Sequence, residues 1–181
     1  MEKLLVMVDV QEDFTRGALR NEEAIKALLI IHEIAEYANK NGMKVIYTRD
    51  THGADYMSTQ EGTNLPVPHC IFESEGWQIC PEAIIENANE ITAINKSRFG
   101  TFDWLFKDYG RGASEIWICG FCTDICVSAN FQILKALYPE TPIYIIEDAC
   151  AGVTPELHDA AIKVMSSCQA KIVKWNDMKI E

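Results

Sequence analysis

Positive charge is scarce in this sequence: 16 Lys and Arg stand against 27 Asp and Glu, for a formal net charge of −11 and a sequence pI near 4.8. Nucleic-acid binding depends on a basic face that displaces counterions, so the balance argues against a phosphate-backbone partner and for a small molecule. Long apolar runs are missing too. No segment approaches the roughly 20 residues that cross a bilayer, so no membrane partner is expected. The N-terminus Met1-Glu2-Lys3-Leu4-Leu5-Val6 meets Asp9 too early for a secretory leader, and a cytoplasmic location is the expectation. Repeats and low-complexity linkers are lacking as well. With 181 residues and 48% hydrophobic content, the chain reads as one domain over 1–181. Seven cysteines, an odd number without an export signal, read as reduced thiols rather than a disulfide framework.

What is present is an alternation. Short, nearly continuous apolar runs at Leu4–Val8, Lys44–Thr48, Ile91–Ile94, Glu115–Cys119, Pro142–Ile146 and Lys171–Val173 have the look of strands covered on both faces. Between them lie helical patterns. Asn21 to Asn41 carries apolar residues at Ile25, Leu28, Leu29, Ile34, Ala35 and Ala38, with Asn21 as N-cap and Asn41-Gly42 as stop. Helices are also expected over 101–109, 124–137 and, capped by Thr154 with Pro155 at the first helical position, to about Cys168. The pattern predicts a three-layer α/β/α fold, a mainly parallel six-stranded Rossmann-like sheet with helices on both faces. Ligands bind beyond the carboxyl ends of such strands. Those ends offer Asp9, then Asp50 and His52, then Lys96, then Cys126; the polar stretch from His52 to about Glu75 reads as a long functional loop.

The run Ile116 to Val127 concentrates three cysteines at a strand-to-helix turn. Thr123 is positioned to cap the helix and Asp124 to favour its first turn, which sets Cys126 near the positive end of the helix dipole, where a thiol loses its proton easily. A redox pair Cys119-Gly120-Phe121-Cys122 is disfavoured because Cys119 belongs to the apolar strand. A structural zinc on Cys119, Cys122 and Cys126 lacks a second cysteine pair. A phosphoryl-transfer site would want a second aspartate two residues after Asp9, where Gln11 stands. Thiol nucleophilic catalysis remains, with Asp9 as acid/base, Lys96 as the neighbouring cation and the N–H groups of Cys122 and Cys126 as oxyanion donors. Asp13 is read as holding the Asp9 loop, and Asp148 as orienting a strand end. Cys70, Cys80, Cys150 and Cys168 are read as packing residues, and the four tryptophans as core or subunit-interface residues, with a homo-oligomer expected.

Four stretches, Asp9-Val10-Gln11-Glu12-Asp13-Phe14, Asn95-Lys96-Ser97-Arg98-Phe99, Gly120 to Val127 and Asp148 to Thr154, occur in one order across nearly the whole chain. In this the chain resembles the isochorismatase-like cysteine hydrolases and, within them, the nicotinamidases. The resemblance implies a triad of Asp9, Lys96 and Cys126, a cis peptide between Phe121 and Cys122, and a small amide substrate bound near Phe14, Phe99 and Phe121. It also implies a metal site in the long loop, with Asp50, His52, Glu61 and His69 holding a divalent ion, zinc first and manganese or iron next, and no organic cofactor. That ion would meet the pyridine nitrogen of nicotinamide. A related amidohydrolase acting on a carbamoyl or ureido compound, and a binding protein without turnover, are the alternatives. One departure stands out: the family usually carries Gly-Thr before a glycine after the second histidine, and this chain has Phe72-Glu73-Ser74-Glu75-Gly76-Trp77.

Overall fold

The computed structural model describes residues 2–85 and 92–178. Six parallel strands, β1 Lys3–Val8, β2 Lys44–Asp50, β3 Ala93–Lys96, β4 Glu115–Phe121, β5 Ile143–Ala151 and β6 Lys171–Val173, form one sheet in the order β3-β2-β1-β4-β5-β6. Helices α1 Glu12–Thr15, α2 Glu22–Lys40, α3 Gln60–Asn64, α4 Asp103–Lys107, α5 Ser128–Leu137, α6 Pro155–Ser167 and α7 Trp175–Met178 connect and flank them on both faces, as the alternation predicts.

The central strands are apolar on both sides because both sides are covered. Leu4 to Val8, Ile116 and Ile118 are all fully buried, and each such side chain is worth about 1.5–3 kcal/mol relative to exposure. On one face Trp117 stacks on Tyr37 of α2, and Trp175 of α7 closes edge-on against both rings. On the other, Trp104 of α4 donates its indole N–H to Asn130 of α5 at 2.8 Å. Asn21 caps α2 by accepting from the Glu23 N–H, as expected. The buried stripe of α2 runs through Ala24, Ala27, Leu28, Ile31, Ile34, Ala35 and Ala38, so it lies slightly earlier than the large apolar residues suggest, and Leu29 faces solvent.

Strand ends are where the structure extends the sequence reading. Expected strand three begins at Ile91, which lies outside the described residues; the observed strand continues through Lys96, pairing it in register with Asp50. β4 runs on to Phe121, and β5 to Ala151. Asp148 therefore sits within β5, where it accepts the Trp175 N–H at the start of α7. The long loop after β2 carries a 3-10 turn at Tyr56–Ser58 and then α3.

The strand order reverses direction between β1 and β4, which is where a sheet of this kind opens a crevice. Here β1 and β4 approach so closely that Gly120, opposite Val8 and at φ +123, could carry no side chain: a Cβ there would overlap the Val8 carbonyl. The β4–β5 register slips between Ile118 and Gly120, turning the end of β4 toward the crevice.

Candidate active site and metal centre

Three strand ends meet first. Lys96, closing β3, lies with its Nζ 2.6 Å from Asp9 Oδ2, and it donates to Cys126 Sγ at 3.4 Å. All three residues are buried. Asp9 adopts φ 50 just past β1, and its second carboxylate oxygen accepts the Thr48 hydroxyl at 2.6 Å. Burial raises the Asp9 carboxyl above the usual carboxylate range, with Lys96 opposing. Burial also works against the Lys96 ammonium, but Asp9, Cys126 and Asp50 together hold its pKa up, so it stays charged.

Cys126 corrects the picture of an easily ionised thiol. It does not stand in the first turn of a Thr123-capped helix. Cys122 is the residue before the turn, Thr123–Val127 is widened into a π turn, and α5 follows it. Thr123 instead pairs its hydroxyl with His158 Nδ1 at 2.8 Å, while Asp124 accepts the Val153 N–H at 2.9 Å. Buried among these groups, the Cys126 thiol is pushed well above the ordinary thiol range by desolvation, then by Asp9, with Lys96 acting the other way. It rests protonated, in reach of the Asp9 carboxylate. The Cys122 thiol is pushed up to about 12 by burial and by Asp124. Neither Cys119 nor Cys122 has the exposure or the lowered pKa of a redox cysteine. The peptide between Phe121 and Cys122 is cis, and among the described residues no hydrogen bond engages the Cys122 N–H.

The second group is drawn from β2 and the loop behind it. His52 Nε2 lies 2.9 Å and His69 Nε2 3.3 Å from Asp50 Oδ2. Glu61 Oε1, carried by α3, stands 3.7 and 3.8 Å from the same two nitrogens. One donor atom from each residue lies within 4.8 Å of the others. His69 Nδ1 donates to the Val67 carbonyl at 2.8 Å, which orients the ring with Nε2 inward toward Asp50 and Glu61. Tyr56 presents its ring edgewise to both imidazoles, at 4.7 and 5.0 Å between centroids. Burial raises the Asp50 carboxyl, but the hydrogen bonds from His52 and His69 outweigh it and the net shift is downward. Asp50 Oδ1 also lies 3.7 Å from Lys96 Nζ, joining the two groups.

Charge counting tests whether an ion fits. As metal ligands both imidazoles would be neutral, and the joined cluster would then hold the carboxylates of Asp9, Asp50 and Glu61 against the ammonium of Lys96, a surplus of two negative charges in a mostly buried place. Buried charge is retained only when paired or bound to metal, and a divalent cation closes the balance. Two imidazoles and two carboxylates suit zinc, manganese or iron.

Both groups open into one cavity of about 1280 Å³, walled by Phe14, Phe121 and Tyr56, with Phe99, Arg98 and Val153 along its rim. Phe14 packs near His69 and Phe121, each 6.4 Å away between ring centroids. Phe121 is fully buried and Phe99 is 49% exposed, so the three phenylalanines are not equivalent: two form the wall and one the mouth.

Several supporting residues escape a sequence reading. Gln11 bonds the main chain of Asp50 and Trp77. Asn130, four residues past Cys126, donates to the carbonyls of Cys126 (2.8 Å) and Phe99 (3.1 Å) and holds the π turn. Thr48 braces Asp9. Apart from Cys126, these partners lie 31 to 66 residues away, and no local pattern announces them. Asp13 does more than hold the Asp9 loop: Oδ2 accepts the Cys70 N–H at 2.6 Å, beside His69, and Oδ1 that of Ala18 at 2.9 Å.

A family model described as the isochorismatase domain matches residues 3–177. A nicotinamidase from Schizosaccharomyces pombe (strain 972 / ATCC 24843) is 25% identical, over 96% of this chain and 93% of its own length. The solved nicotinamidase/pyrazinamidase from Bacillus subtilis superposes with a TM-score of 0.82 at 28% identity, covering 96% of this chain and 100% of that one. The pyrazinamidase of Pyrococcus horikoshii in complex with zinc gives 0.79 at 29%, over 96% and 99%.

Proposed function

This chain belongs to the isochorismatase family, and from that premise we propose that it hydrolyses nicotinamide to nicotinate and ammonia through a thioester on Cys126. At the coarser level it is a cysteine hydrolase acting on carbon–nitrogen bonds. The observation that carries the mechanism is the single ammonium at the junction, with Lys96 Nζ 2.6 Å from the Asp9 carboxylate and 3.4 Å from the Cys126 sulfur.

Because the thiol rests protonated, it needs a base at the moment of attack. Asp9 takes the Sγ–H proton as sulfur bonds to the carboxamide carbon, and the carbonyl electrons collect on oxygen, facing the N–H groups of Cys122 and Cys126. Lys96 offsets the charge throughout. Asp9 returns the proton to the amide nitrogen, the C–N bond breaks and ammonia leaves, with the acyl group on sulfur. Asp9 then deprotonates a water whose oxygen attacks the thioester. The C–S bond breaks, the sulfur regains a proton and the carboxylic acid departs.

Asp50, His52, Glu61 and His69 would hold a divalent ion, with zinc first; when bound there it supplies a Lewis acid for a pyridine nitrogen. Phe14 and Phe121 would bound the ring on the wall side and Phe99 at the mouth. Support for the substrate comes from nicotinamidases similar over 96% of the chain and from an apolar, aromatic wall beside a metal-type donor set.

Purified protein supplied with zinc or manganese is expected to release ammonia from nicotinamide. Release from a carbamoyl compound but not from nicotinamide would reassign the substrate and keep the triad. Absence of release from either would leave a binding protein in this fold.

A further inference from the structure

We infer that Gln11 is a positioning residue for the metal centre, holding Asp50 at the depth where it meets both histidines; the inference rests on reading Asp50, His52, Glu61 and His69 as metal ligands. Gln11 is fully buried just after β1, two residues past Asp9, and both its amide oxygen and its amide nitrogen are bonded. Oε1 accepts the Asp50 N–H at 2.7 Å, and Nε2 donates to the carbonyls of Asp50 and Trp77, both at 2.9 Å. Two carbonyls and one N–H surround it, so only a carboxamide in this orientation satisfies all three.

The main chain around Gln11 is held independently. Gln11 forms an antiparallel bridge with Ile79, and Glu12 and Asp13 donate to Gln78 and Gly76 at 3.0 Å. The side chain therefore reaches from a fixed ribbon to the end of β2. It clamps both main-chain polar groups of Asp50, so the carboxylate of Asp50 is set relative to the segment that carries His69. Asp13, two residues on, holds the Cys70 N–H from the same ribbon. Asp9, Gln11 and Asp13 thus look after the nucleophile, the first metal aspartate and the second histidine in turn.

Outer-shell partners of this kind typically govern metal affinity by about 10–100-fold. Gln11→Glu keeps size and the acceptor but turns a second oxygen toward two carbonyls. Gln11→Met keeps length and loses every bond. The test is zinc affinity by chelator competition, together with melting in EDTA and the rate of Cys126 alkylation by iodoacetamide. Both variants are expected to bind zinc about 10–100-fold more weakly while melting cooperatively and alkylating Cys126 at the parent rate. A folded variant that binds zinc as tightly as the parent overturns the role of Gln11 alone, provided His52→Ala abolishes binding. If neither variant melts cooperatively, Gln11 is a folding residue and the inference is overturned. A parent that binds no zinc overturns the metal reading along with it.

Discussion

The two sides of the cavity are built on different principles. On one, Asp9, Lys96 and Cys126 leave the ends of β1, β3 and β4, are buried, and are held by one another. On the other, Asp50 ends β2, but His52, Glu61 and His69 come from the long loop behind it, and Glu61 is a quarter exposed on the five-residue helix α3. The first side is a product of sheet register. The second is a product of side chains and carbonyls that pin a loop, with Val67 on His69, Asp13 on Cys70 and Gln11 on Asp50. A reactive thiol requires a fixed base and cation, which strand ends supply cheaply in entropy; a cation site requires ligands that can close around an ion, which a pinned loop supplies.

If the sides are as separate as this, cross-variants should separate their functions. The largest expected effect is Cys126→Ala, which should lower amide turnover on the order of 10⁴-fold or more while zinc content stays at the parent level. His52→Ala should do the reverse in binding terms, losing zinc but leaving Cys126 open to alkylation. Zinc loss in the cysteine variant would break the comparison.

A pH profile sharpens it further. The two aspartates are shifted in opposite senses, Asp9 upward by burial and Asp50 downward under the pull of its histidines. In the proposed role of base, Asp9 must be ionised, so kcat/KM of zinc-loaded protein should fall as pH drops through its raised pKa, at a pH above the usual aspartate value of about 3.9. An acid limb at or below that value would remove Asp9 as the base. The smallest effect belongs to Thr48→Val, which strips from Asp9 the hydroxyl that donates to its carboxylate at 2.6 Å and accepts its N–H at 3.2 Å. A loss of about 5–10-fold in kcat, roughly 1–1.4 kcal/mol, is expected, with zinc affinity unchanged.

The first side was far more legible in the sequence than the second. Parallel strands covered on both faces leave continuous apolar runs, so β1, β2 and β4 are legible directly, although β2 runs on to Asp50 and β4 to Phe121, past where the runs stop. Asp9, Lys96 and Cys126 therefore fall out of topology once the strands are placed. The ligands of the second side share no period, and they came from a family resemblance. Gln11 and Asn130 could not be read at all, because each bonds a main-chain group of a residue distant in sequence, and a glutamine that clamps both main-chain groups of Asp50 looks like any other. Thr123 and Asp124 do look like helix caps. Here they bond His158 and Val153 instead, and Asn130 secures the widened π turn they leave behind.

Gly120 has a bearing on how this molecule would respond to wholesale substitution. It touches no substrate and carries no chemistry, yet the Val8 carbonyl fills the volume of its missing Cβ and φ +123 excludes side-chain-bearing residues. In a saturation mutagenesis map scored by turnover, position 120 would rank beside the nucleophile six residues later. A second map scored by protein abundance would part them: alanine at 120 depletes the folded population, whereas alanine at 126 leaves it full. The narrow gap between β1 and β4 thus makes one intolerant position a matter of space and its neighbour a matter of reactivity, and only the pair of maps can tell which is which.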